Sequence, residues 1–67
     1  MKFSDRLKEL RNEKGLTQQN LAEMLEIKRY NISDWEQGRT EPDIKSIIKL
    51  AKFFDISTDY ILGVSES

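Results

Sequence analysis

The sequence predicts an all-α fold of five short helices, and three observations carry that prediction. Apolar residues recur at helical spacing along the chain, no period-2 alternation persists anywhere, and residues that start or stop helices punctuate the apolar stripes at short intervals. Sixty-seven residues suffice for one folding unit, near the lower size at which a hydrophobic core holds a chain together unaided. The expected organisation is one compact domain over 1–63 with a polar tail at 64–67.

Phe3, Leu7 and Leu10 lie at i, i+4, i+7 and mark the first helix, expected from a Ser4 N-cap to about Lys14, with Gly15 as its left-handed stop. Thr17 caps the second, with Leu16 before it and Leu21 inside it spaced as a hydrophobic staple. Asn20 stands where a full capping box places Glu or Gln, so half a box is expected. Leu21, Ala22 and Leu25 form the buried stripe of this helix. Ile27 and Ile32 repeat the staple spacing around a third helix, roughly Arg29 to Gln37, which Gly38 ends; its cap position falls on Lys28, a poor capping residue. Beyond the loop Arg39 to Pro42, Asp43 caps a fourth helix whose Ile44, Ile47, Ile48, Ala51 and Phe54 are expected to line one side, opposite Lys45, Lys49 and Lys52. Ser57 caps a last short helix, stapled by Ile56 and Ile61 and closed by Gly63.

Eleven basic and twelve acidic residues leave a net charge of -1 and a pI of about 5.4. That average opposes nonspecific polyanion binding, but the charge is unevenly spread: Lys2, Arg6, Lys8, Arg11 and Lys14 crowd the first fourteen residues. With no cysteine there is neither a disulfide framework nor a thiol metal site, and no signal or membrane-spanning pattern is present. A cytoplasmic chain is therefore expected. Histidine is also absent, no glycine-rich phosphate loop occurs, and the serines have no imidazole to activate them, so an enzyme reading finds no support and no cofactor is implied.

Placing residues at about 100° intervals turns Ile32 and Trp35 of the third helix inward. Tyr30, Ser33, Asp34 and Gln37 then face outward, flanked by Arg29 and Asn31. Such a polar face is either a solvated helix surface or a contact surface, and an exposed Tyr30 inclines toward contact.

Four segments carry a family resemblance: LKELRNEKGLTQ (Leu7 to Gln18), NLAEML (Asn20 to Leu25), ISDWEQGRTEP (Ile32 to Pro42) and IIKLAKFFDISTDYILG (Ile47 to Gly63). In order and spacing the chain resembles the helix-turn-helix DNA-binding domains of the lambdoid phage repressors and Cro proteins. The resemblance implies a sequence-specific transcriptional regulator of double-stranded DNA, a repressor acting as a homodimer on paired half-sites about 34 Å apart. Its third helix would enter the major groove, with Arg29, Tyr30, Ser33 and Asp34 reading base edges and Asn31 at the groove wall. Gln18, Gln19, Gln37, Arg39 and Thr40 would hold the DNA backbone, although Arg39 also reads as a plain loop arginine. Arg11 and Glu36 would form a structural brace rather than a DNA contact.

The chain departs from the family pattern at three positions. Glu26 stands where a turn glycine is usual, Lys28 replaces a Ser or Thr cap, and Asp34 brings an acid to a position often basic or amide. An irregular turn or a later start of the third helix is expected from the first two, and repulsion of phosphate from the third. A dimer surface is expected around Phe53, Thr58, Tyr60 and Val64, with Phe53 alternatively folding back over the core. An alternative function on the same fold is a protein-interaction module.

Overall fold

The computed structural model describes residues 1–64; positions 65–67 of the expected polar tail lie outside the described residues. Five helices follow one another: α1 (Phe3–Glu13), α2 (Gln18–Leu25), α3 (Arg29–Glu36), α4 (Ile44–Phe54) and α5 (Thr58–Ile61). No strand occurs among the described residues.

Each helix contributes to a single apolar cluster. Leu7 and Leu10 of α1, Leu21 and Leu25 of α2, Ile32 and Trp35 of α3, Leu50 and Phe54 of α4 and Ile61 of α5 are buried together. Burying one such side chain stabilises the fold by about 1.5–3 kcal/mol. The residues just ahead of the caps, Leu16, Ile27 and Ile56, pack against this cluster, which fixes the angle at which the chain enters α2, α3 and α5. Within this arrangement α3 packs on α1 and α2, while α4 packs on α5 and α2.

Several expected boundaries shift. Helix α1 begins at Phe3, not after a Ser4 cap: Lys2 is its N-cap, without a side-chain cap bond, and the Arg6 N–H donates to the Lys2 carbonyl at 2.9 Å. The half-buried Phe3 packs against the core, and that contact draws the first turn two residues earlier, from a Ser4 cap to a Lys2 cap. The capping box at α2 is complete: Thr17 Oγ1 accepts from the Asn20 N–H at 3.0 Å, and Asn20 Oδ1 accepts from the Thr17 N–H at 3.3 Å. An amide oxygen serves there as well as a glutamate would. Gln37 is the C-cap of α3 and no longer part of the helix.

The largest correction concerns α4. Ile44 and Ile48 are exposed, at 75% and 43%, whereas Leu50, absent from the expected stripe, is fully buried. The buried face runs through Ile47, Leu50, Ala51 and Phe54, turned away from Ile44 and Ile48 toward Leu50. Spacing alone accommodates either face because apolar residues cover more than half the helix circumference.

Candidate nucleic-acid interface

The turn between α2 and α3 sets the pose of α3. Glu26 adopts φ 57° and ψ 43°, the left-handed conformation that a glycine would take without strain. The Glu26 N–H donates to the Glu23 carbonyl at 3.2 Å and the Ile27 N–H to the Ala22 carbonyl at 3.0 Å, which closes α2 in a Schellman turn. Lys49 of α4 supports it from outside, its Nζ donating to the Leu25 carbonyl at 2.7 Å. The turn is therefore regular despite lacking glycine. Helix α3 starts at Arg29, with Lys28 as an N-cap that makes no side-chain cap bond.

Behind α3 lies an ionic brace. Arg11 Nε donates to Glu36 Oε2 at 2.7 Å and Arg11 Nη2 to Glu36 Oε1 at 2.9 Å, a two-pronged pair across α1 and α3. The Glu36 side chain is 1% exposed and that of Arg11 13%. Arg11 Nη1 also reaches the Leu16 carbonyl at 2.7 Å, and Gln18 Nε2 donates to Glu36 Oε1 at 3.2 Å. One carboxylate thus ties α3 to α1 and to the first turn of α2. The hydrogen bond to Glu36 raises the Arg11 pKa further above its ordinary value, against the opposing effect of burial.

On the opposite side α3 is open. Arg29 and Tyr30 are exposed, Tyr30 at 62%, while Asn31, Ser33 and Asp34 are half-buried. Gln37 Nε2 donates to Ser33 Oγ at 3.0 Å. Arg39 Nη1 lies 3.6 Å from Asp34 Oδ1, so the acid expected to repel phosphate has a cation beside it. Thr40 is exposed at the start of the α3–α4 loop, and Gln19 is exposed with its Nε2 donating to Glu23 Oε2 at 3.0 Å. The expected base readers and backbone anchors therefore fall along α3, the first turn of α2 and the loop after α3.

The expected dimer surface divides. Thr58 and Val64 are exposed, but Phe53 packs on the core with its ring edge against Phe54, centroids 5.1 Å apart. Tyr60 is half-buried, covered by the Arg6 guanidinium, whose Cζ lies 3.8 Å from the ring centroid. Arg6, one of the basic residues crowding the first fourteen positions, is 3% exposed. Its position three residues after Phe3 and four before Leu10 puts it on the apolar stripe of α1, the signal that it lies inward.

The comparisons with known proteins agree with this geometry. The family model described as Helix-turn-helix matches residues 7–61. The chain is 41% identical over 66 residues to the HTH-type transcriptional regulator ImmR of Bacillus subtilis, covering 98% of this chain and 52% of ImmR. It is likewise 41% identical over 66 residues to the HTH-type transcriptional activator BcrR of Enterococcus faecalis, covering 98% of this chain and 32% of that protein. The chain thus spans about half or less of the length of these two curated relatives. Among solved structures, the P22 c2 repressor in complex with a synthetic operator superposes with a TM-score of 0.89 at 28% identity, over 97% of this chain and 98% of that one.

Proposed function

The chain belongs to the helix-turn-helix family, and from that membership we propose that it is the DNA-binding part of a transcriptional regulator, reading operator DNA in the major groove through α3. One observation carries the reading: α3 presents Arg29, Tyr30, Ser33 and Asp34 on its open side while Arg11, Gln18 and Glu36 lock it from behind. A helix held in this way can deliver side chains to base edges in a fixed register, which direct readout requires.

In this reading Arg29 pairs with guanine O6 and N7, and Asp34 accepts from a base amino group. Tyr30 packs on a thymine methyl or bonds a phosphate, and Asn31 lies at the groove wall. The backbone is held by Gln18 and Gln19 at the first turn of α2, where a helix has N–H groups to offer an anion. Gln37, Arg39 and Thr40 hold it beyond α3.

One α3 contacts too few bases for useful affinity, so the chain acts as a homodimer on two half-sites, most simply as a repressor that occludes the operator. Thr58 and Val64, both exposed, lie on the surface that joins the copies, with Phe53 and Tyr60 supporting it from beneath. Among the described residues no helix is long and apolar enough to cross a membrane.

A salt titration on a fragment of duplex DNA tests this function. Binding at about 50 mM salt that weakens steeply as salt rises is the expected result, since each neutralised phosphate releases a counterion. No binding at that salt would move the same face to a protein partner, a reading that the acidic pI of about 5.4 favours.

A further inference from the structure

We infer that the Asp34–Arg39 pair is a specificity filter, withholding Arg39 from phosphate until a base donor takes its place on Asp34. The inference rests on the DNA-binding reading above.

The pair is built into the end of α3. The Arg39 N–H donates to the Asp34 carbonyl at 2.9 Å and the Gly38 N–H to the Trp35 carbonyl at 3.2 Å, a Schellman turn that sets the Arg39 backbone over Asp34. Arg39 Nη1 then lies 3.6 Å from Asp34 Oδ1, with the Arg39 side chain 66% exposed and that of Asp34 31%. Beside them Gln37 Nε2 is bonded to Ser33 Oγ at 3.0 Å. Ser33 and Asp34 each thus have a side-chain partner within the chain, one a hydrogen bond and the other an ion pair. Asp34 also borders a groove of about 480 Å3 that Glu41 and Asp43 line as well, so two further carboxylates stand on this flank.

DNA of arbitrary sequence offers Arg39 a phosphate, but moving Arg39 there strips Asp34 of its cation beside a polyanion. An ionised carboxylate only accepts hydrogen bonds, and the donors that the major groove supplies are the amino groups of cytosine and adenine. Where one faces Asp34, the carboxylate exchanges Arg39 for the base and Arg39 reaches phosphate without stranding a charge. Elsewhere the exchange is opposed. The acid discriminates by penalising wrong sites more than by rewarding the right one.

The test compares the whole chain with its Asp34→Asn, Glu41→Gln and Arg39→Gln variants and the Asp34→Asn/Arg39→Gln double variant. Each is titrated against a duplex selected from a random pool and against random-sequence duplex, with thermal melts confirming the fold. Asp34→Asn should tighten random-duplex binding roughly two- to fivefold, the scale of one exposed ion pair. It should tighten the selected site by less, so that the preference falls, and steepen the random-duplex salt slope by about 0.9, one added phosphate contact. Arg39→Gln should cost more on random duplex in the Asp34→Asn background than alone. Glu41→Gln removes the same charge from the same groove without touching Arg39 and should leave the preference intact. An unchanged preference in Asp34→Asn, or an equal change in Glu41→Gln, overturns the filter while leaving DNA binding in place. Failure of the wild-type chain and Asp34→Asn alike to bind any duplex overturns the DNA-binding reading and the filter with it.

Discussion

Arg11 and Glu36, twenty-five positions apart in the chain, meet through two hydrogen bonds of 2.7 and 2.9 Å and join the first helix to the third. Because the Glu36 side chain is 1% exposed, the pair is worth most as a constraint on α3. Removing one member leaves a buried charge without its partner, which costs about 3–5 kcal/mol. Arg11→Ala should therefore lower the melting temperature by more than about 12 °C in a domain of this size, measured by far-UV circular dichroism. An unchanged melting temperature would refute the brace.

Glu26 holds a left-handed backbone at φ 57° that a side chain disfavours by about 1–2 kcal/mol. Glu26→Gly should relieve that strain at some entropic cost in the unfolded chain, for a net gain of about 0.5–1 kcal/mol. Chemical denaturation reads this directly. A loss of stability would mean that the glutamate side chain supports the turn, not merely occupies it.

Gly63 and Gly15 both have positive φ, 78° and 68°, but their surroundings differ. A Cβ at Gly63 would overlap the Met1 carbonyl, whereas one at Gly15 would meet nothing within 4 Å. Gly15→Ala should cost about 1 kcal/mol, the conformational penalty alone. Gly63→Ala should cost more, because the chain start or the end of α5 must also move. Equal losses in parallel melts would show that the start of the chain yields freely.

The expectations that held depended on residues whose signal is local. Thr17, Asp43 and Ser57 cap their helices because a short side-chain oxygen reaches an amide three residues on, and Gly15 and Gly38 stop theirs through backbone freedom. Arg11 and Glu36 were legible only through resemblance, since nothing local relates two residues so far apart. What failed depended on tertiary contacts. Phe3 pulls α1 past Ser4, and the neighbours of α4 select Leu50 over Ile44 and Ile48 from a helix that is apolar around most of its circumference. Neither Lys49 reaching Leu25 nor Arg39 reaching Asp34 could be read from spacing. Long flexible side chains find such partners only once the backbone has placed them. Along α3, the pairing of Ser33 with Gln37 and of Asp34 with Arg39 is visible only in the structure.

Selection of bound sequences from a random duplex pool, run with the wild-type chain and with Arg29→Ala, tests readout of DNA through α3. With the wild-type chain, two inverted copies of one short half-site should emerge, centred about one helical turn apart. In Arg29→Ala one base position in each copy should lose about 1–3 kcal/mol of preference while the others keep theirs. A pool that yields no enriched sequence, or an Arg29→Ala consensus identical to that of the wild type, would contradict readout of DNA through α3.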